Sequence, residues 1–238
     1  MLRKILLGCG IVSSVLYVAT DVIASRRFPG YRYRDYSISE EIAVAAPTRR
    51  LWVAVNIPYN LLAAALGVGV WASAAASHTP RAARVTGTAL IGYAASSLTS
   101  GFLFPLLTPR GVRTPKREGA RRARQHMLAT GVINLFFLLS MGFGAALLGK
   151  RFRYYTYATM ATLAVFGALS GPYVPRLAAN RTTPGLGIVE RINVYASMLW
   201  LAVLAVGLMR VPVEAAISQS QLGKATETSQ PMQEATSR

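Results

Sequence analysis

The sequence has one cysteine and two histidines, the side chains that most often bind metals. It also has few of the charged residues that cover the surface of a soluble protein. Charged side chains make up 15% of the 238 residues and hydrophobic ones 53%, against about 25% and 45–50% in an ordinary soluble domain. Because Cys9 is alone, the chain can form neither an internal disulfide nor a cysteine metal cluster. His78 and His126 are far apart in sequence, so we expect no metal site and no cofactor.

Acidic residues are scarce as well, with 9 against 26 basic ones and a net charge of +17. Such an excess is typical of proteins that bind nucleic acid or anionic lipid headgroups. The arginines lie almost entirely between apolar runs, and no segment is long enough to form a soluble basic domain. We therefore predict membrane lipids with anionic headgroups as partners, and no nucleic acid. The sequence carries no signal for an oligomeric state.

The abundant feature is a set of six long apolar runs. A helix needs about 20 residues to cross the hydrocarbon core, and a spanning segment must pair its backbone groups internally. The runs predict an all-α fold, an integral membrane six-helix bundle over residues 1–212, in the bacterial plasma membrane. The polar tail, residues 213–238, is predicted to be disordered. The predicted spans are residues 5–24, 51–77, 82–107, 125–149, 154–174 and 186–209.

The loop charges indicate an orientation for this bundle. Loops one, three and five with their adjoining helix ends carry 16 Lys and Arg residues, whereas the other loops with their helix ends and the termini carry 10. The positive-inside rule assigns the richer side to the cytoplasm, which places both termini outside. Arg3 and Lys4, before the first helix, favour the opposite orientation, because the first helix often decides it. We favour the orientation given by the loop charges, with both termini outside.

Polar residues at helical spacing give four of the predicted spans a polar face. Amides and hydroxyls on such faces usually hold membrane helices together, whereas ionisable groups indicate a cavity or a charged partner. We expect the face on the first span to point into the bundle. The faces consist of Gly10, Ser14, Tyr17 and Asp21; Asn56 and Asn60; His126, Thr130 and Asn134; and Glu190 and Ser197.

The first loop has the most unusual polar pattern. Ser37 to Glu40 fits the capping pattern S-x-x-E, which predicts a short interfacial helix over residues 38–46, ended by Pro47. Two interpretations remain open. The helix is either an amphipathic connector or a lid over the mouth of the bundle, with Glu40 or Arg49 turned inward.

Loops one, three and five should meet at one membrane face, which brings several charged residues to one depth. Isolated charges are costly there and gain from pairing. We predict that Glu190 or Glu40 contacts one of the basic residues Arg49, His126 and Arg191. These residues would surround a cavity open to that membrane face. The candidate ligand-binding residues are Glu40, Arg49, Asn60, His126, Glu190 and Arg191.

Short motifs in a fixed order extend to about Met209. They include Tyr36, Ser39 and Glu40; Ala46 to Arg49; Tyr59 and Asn60; His126; and Gly187, Glu190, Arg191 and Trp200. In these motifs the sequence resembles a family of prokaryotic six-helix membrane proteins catalogued as domain of unknown function 998. The resemblance implies a six-helix bundle in a membrane and no established activity. Glu41 departs from it, because an apolar residue is usual there.

Three functions fit these observations. We favour a non-enzymatic membrane protein that binds or moves a lipid or small amphiphile in a polar cavity at one membrane face. The second is an intramembrane lipid hydrolase, with Ser39 as nucleophile, His126 as base and Glu40 or Glu190 as the orienting acid; a nucleophile-elbow motif is missing. The third is a structural or assembly partner. An ion channel is least favoured, because no segment has the sequence pattern of a selectivity filter.

Overall fold

A computed structural model describes residues 1–106, 116–178 and 181–211, and every regular element in these ranges is helical. The predicted polar tail lies outside the described residues. The α-helices are α1 (Leu2–Arg27), α2 (Ile38–Ile42), α3 (Arg49–Ala72), α4 (Pro80–Leu103), α5 (Lys116–Gly144), α6 (Gly149–Ser170), α7 (Val174–Ala178) and α8 (Leu186–Arg210). Single 3-10 turns follow α3 (Ser73–Ala76) and α6 (Gly171–Tyr173).

Each predicted span corresponds to one of the long helices α1, α3, α4, α5, α6 and α8, so the predicted six-helix bundle is confirmed. These helices have 22 to 29 residues, enough at about 1.5 Å per residue to cross a hydrocarbon core of about 30 Å. Four of them, α1, α3, α5 and α8, also have the continuous apolar composition of a membrane span. Small and hydroxyl residues in α4, and basic residues at the start of α6, lower the hydropathy of these two helices.

The long helices pack side by side in the order α6, α8, α1, α3, α4, α5. Glycines bring α3 and α4 into backbone contact, since a Cβ on Gly87 would lie 2.5 Å from the carbonyl oxygen of Gly67. Small residues commonly allow such close approach between membrane helices. Bulky side chains from α1, α3, α4, α5 and α8 fill the centre of the bundle. They include Leu7, Leu66, Leu90, Met141, Trp200 and Leu204.

The inward face predicted for α1 is confirmed. Gly10, Ser14 and Asp21 are buried, and the Ser14 hydroxyl donates to the carbonyl oxygen of Met198 in α8 at 2.8 Å. The Tyr17 ring packs between α1 and α3, with its centroid 5.1 Å from that of Trp52. One polar stripe on α1 therefore connects this helix to both of its neighbours.

The first, third and fifth loops meet at one end of the bundle, as the sequence predicts. The Val44 N–H donates to the carbonyl oxygen of Leu106 at 2.8 Å, which joins loop one to loop three. The Thr183 hydroxyl donates to the carbonyl oxygen of Asp35 at 2.9 Å, which joins loop five to loop one. Residues 73–79 connect α3 to α4 at the opposite end.

The capping pattern in the first loop forms the predicted helix start. The Ser37 N–H donates to Glu40 Oε2 at 2.8 Å, and the capping box is complete. The helix ends at Ile42, four residues earlier than predicted. A turn follows it, in which the Ala46 N–H donates to the carbonyl oxygen of Ala43. The chain leaves helical backbone at Ala43, with φ −54° and ψ 150°, so the helix ends before the restriction that Pro47 places on residue 46 applies.

Candidate functional site

A buried ion cluster lies where α1, α2 and α8 meet, with Arg191 between two carboxylates. Arg191 Nε donates to Asp21 Oδ2 at 3.0 Å, and Nη2 donates to Asp21 Oδ1 at 2.8 Å. Nη2 also donates to Glu41 Oε1 at 3.2 Å. Both acids are fully buried, and Arg191 is 3% exposed. The two parallel guanidinium–carboxylate bonds are charge-assisted, and each is roughly twice as strong as a hydrogen bond between neutral groups.

The first loop closes over this cluster by binding Arg191. Arg191 Nη1 donates to the carbonyl oxygens of Tyr33 and Tyr36, at 2.9 and 3.0 Å. Nη2 donates to the Tyr31 hydroxyl at 2.8 Å. The guanidinium carbon also lies 3.7 Å from the centroid of the Tyr33 ring, a cation–π geometry. One side chain of α8 therefore connects the loop to both buried acids.

Gly187, one helical turn before Arg191, makes the close approach of the loop possible. A Cβ at this position would lie 2.5 Å from the carbonyl oxygen of Tyr36 and closer still to that of Tyr33. Real Cβ atoms do not come so close to backbone oxygens. The loop carbonyls can therefore reach Arg191 only because residue 187 has no side chain.

The environment of Glu41 favours its neutral form. Burial raises the pKa of Glu41 to about 8, and the nearby Asp21 carboxylate adds to the rise. The indole N–H of Trp52 donates to Glu41 Oε2 at 3.0 Å. This hydrogen bond and the charge of Arg191 lower the pKa of Glu41, but by less than burial and Asp21 raise it. Desolvation of a carboxyl group and a second carboxylate nearby both disfavour ionisation.

Tyrosine hydroxyls complete the cluster. The Tyr195 hydroxyl donates to Asp21 Oδ2 and lies 2.9 Å from the Tyr33 hydroxyl. Tyr33 is 36% exposed, so this chain of hydroxyls runs from the surface of the loop to a buried acid. Burial raises the pKa of Tyr31 as well, and this phenol stays neutral.

The acids that bond to Arg191 differ from the prediction, which named Glu190 or Glu40 as the acid in contact with Arg49, His126 or Arg191. Arg191 bonds to Asp21 and Glu41. Glu190 is turned toward the start of α2, where its Oε2 accepts from the Ile38 N–H at 2.7 Å. Neighbouring residues of a helix point about 100° apart, so Glu190 and Arg191 face different partners. Glu40 is buried and caps α2.

The other three candidate residues bond to backbone carbonyl oxygens. Arg49 Nη1 donates to the carbonyl oxygen of Ile42 at 2.8 Å, and His126 Nδ1 lies 2.9 Å from that of Phe104. Asn60 is buried in α3 and donates to the carbonyl oxygen of Asn56. Within the described ranges, His, Cys, Asp and Glu side chains form no group of three placed to hold a metal ion.

An open groove of about 660 Å³ lies beside the turn that leads from α2 into α3. Arg49 and Arg50 line it at the start of α3, and small apolar residues form the rest of its wall. Of the six candidate residues, Arg49 is the one that lines this groove. The full lining is Val44, Ala46, Pro47, Arg49, Arg50, Val53 and Ala54.

Two residues of the ion cluster were missing from the sequence-based candidates. The sequence placed Asp21 on the inward face of the first span and named no partner for it, and Glu41 was only a departure from the family pattern. The available signal was the position of Asp21 on the inward face of α1, in register with Ser14. An acid on that face needs a basic partner from another helix.

Long apolar helices, inward polar faces and a buried charge cluster define this chain as a multi-pass integral membrane protein. A family described as "Protein of unknown function (DUF998)" matches residues 11–207, and the chain belongs to this family. Comparisons with curated proteins and with solved structures find no match.

Proposed function

We propose that this membrane protein binds an anionic phospholipid in the groove at the start of α3. The observation that carries the proposal is the pairing of two arginines with an apolar wall at the end of a spanning helix. Guanidinium groups suit phosphate oxygens, because they can donate two parallel hydrogen bonds. The acyl chains would lie along Val53 and Ala54, one turn deeper in the membrane.

The buried ion cluster would hold one wall of this groove in place. Val44 and Ala46, which form one wall, follow α2 directly in the chain. Glu41 holds α2 to α8 through Arg191, and Glu190 holds the start of α2 through the Ile38 N–H. The wall of the groove therefore depends on contacts that α8 makes beneath the first loop.

The hydrolase alternative has weaker support. A nucleophile and its base should lie within hydrogen-bond reach of each other. The Ser39 hydroxyl is instead directed to Glu190 Oε1 at 3.4 Å, and His126 to the carbonyl oxygen of Phe104. These contacts suit a binding protein better than a catalyst. By the loop-charge count, the groove would face the cytoplasm of a bacterial plasma membrane.

Lipid retention tests the proposal directly. The wild-type protein and two double variants would be incubated in mild detergent with equal amounts of phosphatidylglycerol and phosphatidylcholine, and bound lipid counted by native mass spectrometry. R49Q/R50Q removes both groove charges, and R81Q/R84Q removes two charges at the opposite membrane face.

We expect the wild type and R81Q/R84Q to retain phosphatidylglycerol preferentially. At about 1 kcal/mol for each arginine, R49Q/R50Q should hold it about 30-fold more weakly. Equal retention by all three proteins would overturn the proposal.

A further inference from the structure

The ion cluster contains one more carboxylate than it has cations. Asp21 and Glu41 are both fully buried, and in the described part of the chain Arg191 is the one basic side chain that bonds to them. An uncompensated charge away from water is costly, and a buried acid escapes that cost by taking up a proton. The charge of the cluster is balanced when one of its two acids is neutral.

Among the residues that the structure describes, the other groups that face the two acids add no positive charge. They are Tyr17 from α1, Trp52 from α3, Glu190 and Tyr195 from α8, and Tyr31 from the first loop. Tyr31, Tyr195 and Trp52 supply hydrogen bonds, and Glu190 is itself an acid. Arg191 makes two parallel hydrogen bonds to Asp21, at 3.0 and 2.8 Å, and one to Glu41, at 3.2 Å. It therefore neutralises Asp21 and leaves Glu41 as the carboxyl group in excess.

We propose that this cluster is a buried proton-binding site, which holds one proton on Glu41 while residues 28–37 of the first loop are docked on Arg191 and loses it when this segment leaves. The proton comes from water and returns to water. Tyr33 and Tyr195 form a hydrogen-bonded chain from the surface to Asp21. Arg191 Nη2 donates to both Asp21 and Glu41 and so holds the two acids at one site, but it relays no proton, because a guanidinium only donates. The direction of the Glu41 pKa, raised to about 8, agrees with this assignment.

The coupling to the loop follows from geometry. Residues 28–37 cover the cluster through their backbone contacts with Arg191. Undocking of this segment would admit water to both acids. Hydration returns the pKa of Glu41 to its ordinary range and releases the proton. Deprotonation at high pH must then weaken docking by linkage. This proposal does not depend on lipid binding at the groove.

Infrared spectroscopy tests for the proton. The carbonyl stretch of a protonated carboxylic acid would be followed in the full-length protein between about pH 6 and pH 10. Because Glu190 also faces the two acids, the comparison is made in an E190Q background, in which Glu190 contributes no carboxyl band. We expect a band that disappears around pH 8 in E190Q and that is absent from E41Q/E190Q. An E190Q protein without such a band, or an E41Q/E190Q protein that retains it, would overturn the assignment.

The variant D21N gives a second readout of the same site. This substitution would leave Arg191 to neutralise Glu41 alone, so the carboxyl band should disappear at a lower pH than in the wild type. An unchanged or higher titration point in D21N would contradict the shared site.

Hydrogen exchange tests the coupling to the loop. Exchange of residues 28–37 would be compared between wild type and E41Q at about pH 6 and pH 9, so that the intrinsic pH effect cancels. We expect the wild-type loop to lose protection at the higher pH relative to E41Q. The same pH response in both proteins would show that Glu41 does not control the loop.

Discussion

Arg191 in the last helix holds Asp21 in the first helix by two hydrogen bonds of 2.8 and 3.0 Å. This pair joins residues that are 170 positions apart in the sequence. The same guanidinium binds the backbone of the first loop. One arginine therefore links α1 and α8 to the segment that covers them.

Replacing Arg191 by glutamine should destabilise the protein strongly. The change leaves Asp21 and Glu41 buried without their cation, and breaking a buried pair in this way costs about 3–5 kcal/mol. The free energy of unfolding can be measured by titration with a denaturing detergent. R153Q removes an exposed arginine at the start of α6 and should change stability little. Equal effects of the two substitutions would mean that the cluster contributes nothing to stability.

Adding a methyl group at Gly187 should displace the first loop. G187A places a Cβ against the carbonyl oxygens of Tyr33 and Tyr36, so those oxygens must move away from Arg191. G131A is the matched control, because a Cβ there meets open space and alanine is favoured over glycine in a helix by about 1 kcal/mol. Limited proteolysis should cut the first loop faster in G187A and at the wild-type rate in G131A. Equal cleavage would contradict close docking of the loop.

Stability should fall as the pH rises through about 8. The pKa of Glu41 is about 8 in the folded protein, against an ordinary value of 4.5. A raised pKa stabilises the fold fully below about pH 4.5, and this stabilisation is lost above the folded-state value. The apparent melting temperature of the wild type should therefore be higher at about pH 5 than at about pH 9. The difference should shrink in E41Q; an equal difference in both would place the titrating group elsewhere.

The orientation can be measured with cysteines in a Cys9→Ser background. We expect a cysteine at Thr182 to be shielded from an impermeant thiol reagent in intact cells, because the fifth loop belongs to the more basic side. A cysteine at His78, between α3 and α4, should be labelled. The reverse pattern would move the groove and the first loop to the outer face.

Sequence patterns predicted the features that depend on neighbouring residues. The apolar runs predicted the six long helices, because crossing a membrane requires continuous apolar composition. The S-x-x-E pattern predicted the start of α2, because both partners of a capping box lie within four residues. These features need no knowledge of which helices touch.

The partner of Arg191 could not be predicted in this way. Glu190 was closer in sequence, but the direction of each side chain depends on how α8 packs against α1 and α2. The groove is also a tertiary feature, since it depends on the early end of α2 and the turn before Pro47. The sequence predicted that charged residues meet at one face, but it did not predict which of them pair.

Photocrosslinking tests the central claim, lipid binding at the start of α3, most directly. A phosphatidylglycerol with a photoreactive group beside its phosphate would be incorporated into vesicles with the full-length protein, and the labelled peptides mapped by mass spectrometry. We predict that label concentrates on residues 44–54 and is lost from them in R49Q/R50Q. Label spread evenly over the bundle, or concentrated at the opposite face near Arg81 and Arg84, would contradict the account.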